Sequence, residues 1–141
     1  MIRMKKNSFN IEFHSNIKSI DDSFKKSLSI EPFSEDSINF LNELSKKILR
    51  KNKSRLFPDV VTFAFFCRKR NIEKLKKENI IDVPMRLGVG TIFHIAPSNV
   101  PVNFAYSLLS GILSGNKNII RLPSKDFEQV EIIVDAINEI S

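Results

Sequence analysis

The sequence predicts an α/β fold, with N-terminal helices followed by a strand–helix–strand–helix series on a parallel sheet. Three observations lead there. Apolar residues recur at helical spacing up to about residue 80. A short, nearly continuous apolar run then appears at 88–95, as expected for a buried parallel strand, and a second short strand reads at 117–122. Each closes on a loop containing Pro and Ser and is followed by another helical pattern, the order of right-handed crossovers.

Taken in order, Phe9, Ile11 and Phe13 alternate with Asn10 and Glu12, which predicts a short strand. Pro32 ends this region. Ser34 then reads as an N-cap, with Glu35 and Asp36 suited to the positive end of a helix dipole. Ile38, Leu41, Leu44, Ile48 and Leu49 follow at helical spacing, so 35–51 is an amphipathic helix. Residues 52–57 form a basic linker. Pro58 opens a second helix over 58–77, with Val61, Phe65, Ile72 and Leu75 along one face. Cys67 lies inside that helix, and a small core residue is favoured there over a catalytic thiolate. A broadly apolar helix is expected at 100–114, with Gly115 and Asn116 closing it. Ser124 is placed to cap a last helix near 125–140. The domain division is a mostly helical segment at 1–79 and the first half of a nucleotide-binding unit at 80–141.

Composition bounds the function. With 42% hydrophobic and 27% charged residues, the 141-residue chain is globular rather than disordered. The 12 Phe are read as core filler. The net charge of +6 admits a polyanion partner, but the cations spread along helical stretches as a solvated face would. One cysteine excludes an intramolecular disulfide and a cysteine metal cluster, and no metal is expected. No apolar run approaches the roughly 20 residues of a membrane span, and no signal peptide is seen, so the expected compartment is the cytoplasm.

In an open α/β sheet, ligands bind outside the carboxyl ends of the strands. Two such ends are visible: Ile95-Ala96-Pro97-Ser98-Asn99 and Arg121-Leu122-Pro123-Ser124-Lys125. If the strands are neighbours, a carboxamide and backbone groups face a guanidinium, a hydroxyl and an ammonium, a set that suits a nucleotide. The glycine fingerprint of a Rossmann loop is absent, because Gly88 and Gly90 precede the strand.

Residues 84–99, read as P-x-x-x-G-V-G-x-x-x-x-I-A-P-S-N, resemble the segment of aldehyde dehydrogenases that enters the cofactor fold. The stretches at 93–101 and 115–122 look closer to one branch, the acyl-CoA reductase family, which includes the fatty-acid reductase subunit of bacterial luminescence. The resemblance implies the first β-α-β-α of a Rossmann-like parallel sheet of the aldehyde dehydrogenase type. It implies an NADPH-dependent reductase acting on an acyl-CoA or acyl-protein thioester. Asn99 matches the asparagine whose amide helps hold the oxyanion, although the same residue could cap the next helix, or do both. Ile95, Ala96, Pro97 and Ser98 match the strand end along which the nicotinamide half runs. Arg121 matches the lysine that reaches the adenosine ribose. Ser124 falls where NAD-preferring members often carry an acid, and Lys125 adds charge for a 2′-phosphate.

The family's nucleophilic cysteine lies far downstream of this region, and Cys67 cannot be matched to it. The chain therefore reads as an N-terminal portion, inactive alone. Its partners would be the remaining C-terminal part of the enzyme or an acyl-protein synthetase subunit. Two other readings stand beside it: a non-catalytic nucleotide-binding or subunit-docking module, and a basic polyanion-binding protein.

Overall fold

The computed structural model describes residues 2–4, 11–13, 29–79 and 86–140. Strands β1 (Ile2–Met4) and β2 (Ile11–Phe13) come first, and then helices α1 (Glu35–Arg50), α2 (Pro58–Phe66) and α3 (Lys69–Asn79). Strand β3 (Thr91–Ile95), helix α4 (Asn103–Leu113), strand β4 (Lys117–Arg121) and helix α5 (Glu128–Asn138) complete the order. The four strands form one sheet in the order β2-β1-β4-β3. β3 and β4 pair in parallel, from Thr91 opposite Lys117 to Ile95 opposite Arg121, as the sequence predicts. β1 joins the far edge of β4 in parallel at Ile2 and Arg121, and β2 pairs antiparallel with β1. The expected N-terminal strand is present at Ile11–Phe13, while residues 9–10 and the connector at 80–85 lie outside the described residues.

Local chemistry explains the boundaries. The Ser34 side chain accepts a hydrogen bond from the Ser37 N–H at 3.2 Å, so the cap of α1 is the one expected. α1 buries Ile38, Leu41, Leu44 and Ile48 on one stripe. The basic linker at 52–57 contains a 3-10 turn (Asn52–Leu56), pinned by the Ser54 hydroxyl donating to the Ile48 carbonyl at 2.7 Å.

The single helix expected over 58–77 is two helices that meet at Cys67 and Arg68. The peptide groups freed at this elbow find side-chain partners. Asn42 of α1 accepts from the Lys69 N–H at 3.1 Å, and Asn71 donates to the Phe66 carbonyl at 2.9 Å. The break shifts the buried stripe of α2 to Val60, Phe63, Ala64 and Cys67. Val61 is only half-buried, and Phe65, expected on the buried face, is 46% exposed.

Gly115 ends α4 with φ of 76°, in the left-handed region that favours glycine. The backbone packs tightly there. Ile30 donates to the Gly115 carbonyl at 3.2 Å and accepts from the Gly88 N–H at 3.0 Å. A Cβ on Gly88 would land on the Gly115 carbonyl oxygen, so this glycine serves backbone packing at the start of the sheet rather than a phosphate.

One apolar core runs through all these layers. It joins α1 to Phe63 of α2, Ile72 of α3, Phe104 and Leu109 of α4, Ile120 of β4 and Ile133 of α5. Strand alternation puts His94 and Ile120 on the helix-covered side of the sheet. The opposite side carries Phe93 and Ile95, which are 47% and 68% exposed.

Candidate functional site

The register Ile95 opposite Arg121 brings the carboxyl ends of β3 and β4 level. The loops that leave them, Ala96–Val102 and Leu122–Phe127, therefore start side by side at one end of the sheet. Ala96 is half-buried against the core, whereas Pro97, Ser98 and Asn99 are exposed. On the neighbouring loop, Leu122 and Pro123 are buried and anchor the chain. Arg121 is half-buried, while Ser124 and Lys125 are exposed.

Two capping expectations are corrected here. Asn99 does not cap α4. Asn99 lies in a turn, a further turn follows at 101–102, the helix starts at Asn103, and its N-cap Val102 provides no side-chain bond. Ser124 does not cap α5, which starts at Glu128 behind Phe127. In both loops the proline-containing segment continues as an extended turn before helical geometry is reached, which carries Asn99 and Ser124 out of capping range. Consequently the side chains of Ser98, Asn99, Arg121, Ser124 and Lys125 make no hydrogen bond or ion pair among the described residues. A carboxamide, two hydroxyls, a guanidinium and an ammonium thus stand uncommitted at one end of two parallel strands.

A small cavity of about 100 Å³ opens between the second loop and α5, lined by Leu122, Lys125, Phe127, Val130 and Val134 among others. Lys125 shares this lining with the carboxylates Asp126, Glu131 and Asp135, so the cavity wall is net negative. No group of three or more His, Cys, Asp or Glu capable of holding a metal occurs among the described residues. No described helix is long and apolar enough to cross a membrane.

The sequence reading passed over His94. Its Nε2 lies 2.8 Å from the Asn118 Oδ1 across the two strands, and the Asn118 amide donates to the Asn116 carbonyl at 2.8 Å. A Cβ on Gly111 would overlap Asn118 Oδ1, so α4 lies directly over this polar pair. Only the strand register could have revealed it.

Cys67 lies in the core, fully buried, as the sequence reading expected. Burial pushes its thiol up to about 12 from the ordinary 9.0, the opposite of what a nucleophile at neutral pH needs. The thiol is expected to be silent toward Ellman's reagent near pH 8 in the native protein and to react once the chain is denatured. The folded thiol also holds its proton to higher pH than the unfolded one. Its contribution to stability is therefore complete below about 9 and is lost as pH rises toward about 12. Urea midpoints of wild type and Cys67→Ala across alkaline pH check this: the wild-type curve should fall more steeply. Parallel curves would show that the thiol is not buried in solution.

A family model described as Acyl-CoA reductase (LuxC) matches residues 23–141. Searches of curated proteins and of solved structures found no match. The match takes in α1 to α5, strands β3 and β4 and both strand-end loops, and on that basis the chain belongs to the acyl-CoA reductase (LuxC) family.

Proposed function

We propose that this chain is the N-terminal portion of an NADPH-dependent reductase that converts a fatty acyl thioester to an aldehyde, with a fold of the aldehyde dehydrogenase type. The observation that carries this reading is the uncommitted polar set at the level ends of β3 and β4. The reading is supported by the chemistry of the set, since hydroxyls and cations suit the ribose and phosphates of a dinucleotide. Ile95, Ala96, Pro97 and Ser98 form the ledge for the nicotinamide half, and Arg121, Ser124 and Lys125 face the adenosine ribose and its 2′-phosphate. Bound there, NADPH supplies a hydride. Asn99 turns its amide toward the thioester oxygen and stabilises the negative charge that develops as a thiolate adds to the carbonyl.

The nucleophile is not Cys67, whose thiol is buried and held protonated. The side of the sheet that bears Phe93 and Ile95 is uncovered, and the outer edge of β3 is unpaired among the described residues. Parallel sheets are normally covered on both faces. A further polypeptide that adds strands to β3 and covers this face would also bring the thiolate.

The test is acyl-CoA-dependent oxidation of NADPH. The purified chain alone is expected to give no turnover. Turnover that vanishes in Cys67→Ala would overturn the assignment of the nucleophile. Absence of NADPH binding both by the chain and by the complete enzyme would leave a non-catalytic docking module as the function.

A further inference from the structure

A second surface, independent of the reductase reading, lies at the α2–α3 elbow. Phe65 and Phe66 end α2 with 46% and 36% of their surface exposed. The Arg68 guanidinium sits 4.0 Å from the centre of the Phe65 ring. With Arg70, Lys74 and Lys77 these residues line an open groove of about 720 Å³. Charge is concentrated here. Residues 68–79 carry six cations (Arg68, Lys69, Arg70, Lys74, Lys76 and Lys77) against Glu73 and Glu78, a net +4 of the chain's +6.

The cations divide into two groups. Lys69 pairs with Glu35 at 2.9 Å, Lys74 with Glu78 at 3.8 Å, and Lys76 donates to the Phe33 carbonyl at 3.0 Å. Arg68, Arg70 and Lys77, all lining the groove, face no carboxylate within 4.0 Å among the described residues. Like charges are thus held together beside exposed aromatic surface, with Glu73 as the carboxylate on the groove wall and no ion pair to Arg68, Arg70 or Lys77 among the described residues.

We propose that the elbow groove docks an acidic segment of a partner protein. An apolar side chain of that segment would rest on Phe65 and Phe66, and its carboxylates would pair with Arg70 and Lys77. Arginine and aromatic residues at the centre of a concave patch are the usual anchors of protein interfaces. A nucleic acid fits less well. The cations occupy one helix of about 16 Å, and Glu73 and Glu78 interrupt them where a continuous row of phosphates would lie. The groove also borders α4. The Phe66 ring lies edge-on to Tyr106 at 5.9 Å, in the first turns of α4, the helix that leaves the Asn99 loop.

The experiment uses the full chain and a fluorescein-labelled amphipathic peptide with glutamates on one helical face and leucine and phenylalanine on the other. Fluorescence anisotropy should show saturable binding that weakens with rising salt. Arg70→Glu with Lys77→Glu should weaken it about tenfold or more, and Phe65→Ser should weaken it by a similar factor. A peptide whose apolar residues are replaced by serine should bind about tenfold more weakly. The charge-reversed positions are exposed and have no ion pair among the described residues, so that variant should keep its native melting temperature and decide the matter even if Phe65→Ser unfolds. Unchanged affinity in the charge-reversed variant would overturn the proposal. So would equal binding of the serine peptide, or displacement of the peptide by coenzyme A or by single-stranded DNA at lower concentration than by unlabelled peptide.

Discussion

Asn99→Ala, introduced into a reductase that contains this chain, is expected to lower kcat by about 10²–10³-fold, the usual loss when one oxyanion donor is removed. KM for the thioester should change little, because a donor in the proposed role meets charge that exists mainly in the transition state. Such a loss would ordinarily be confounded with misfolding. Here the structure separates the two. Asn99 is exposed, lies outside α4, and its carboxamide bonds to nothing among the described residues. Removing it therefore leaves no cap broken and no buried group unpaired, and stability should stay within about 0.5 kcal/mol. The check is steady-state kinetics together with urea denaturation of the same variant. A kcat within about threefold of wild type would remove Asn99 from the oxyanion site, since even one neutral hydrogen bond is worth that much. A full loss of kcat with a matching loss of stability would make its role structural.

Much of the fold was legible because local and long-range signals agreed. The Ser34 cap, the proline at the start of α2 and the left-handed Gly115 are decided by backbone chemistry within a few residues, and each appears where the sequence places it. The two short strands could be read as parallel neighbours because a helix of one crossover length separates them. The elbow at Cys67 could not be read. The apolar periodicity continues through it, and the break is stabilised by Asn42, which is remote in sequence. The phase of α2 followed from that break, so Phe65 emerged on the surface instead of in the core. The pairing of β1 with β4 was equally illegible, because it joins residue 2 to residue 121 with nothing local to announce it.

At the candidate site the balance was similar. The residue types at the strand ends could be read from sequence. Whether their side chains were committed to capping could not, because that depends on where helical geometry starts. A shift of about three residues turned two expected caps into free polar groups. The open side of the sheet has the same origin. Phe93 and Ile95 look like core residues in a sequence, and only the packing of α4 against β3 and β4 from the opposite side leaves them exposed among the described residues.

Ser124→Glu in the same complete enzyme is expected to lower the NADPH-to-NADH ratio of kcat/KM by about one to two decades, the equivalent of a charge-assisted hydrogen bond of about 1.5–3 kcal/mol. Ser124 and Lys125 are exposed next to Arg121, and none of the three has a side-chain partner among the described residues. A doubly charged 2′-phosphate could be met there by a hydroxyl and two cations. A carboxylate at position 124 would repel the phosphate and instead accept from the ribose hydroxyls of NADH. Because the position lies outside α5 and caps nothing, the substitution should leave the fold intact, and the change should appear in KM for the cofactor before kcat. Arg121→Ala separates the contributions. If the guanidinium reads the 2′-phosphate, NADPH should suffer about tenfold more than NADH; if it touches only the ribose, both should suffer alike. The measurement is kcat/KM for both cofactors in wild type and both variants, repeated at higher salt, where a phosphate contact weakens more than a ribose contact. An unchanged ratio in Ser124→Glu would show that this loop does not read the 2′ position and would remove the preference for NADPH.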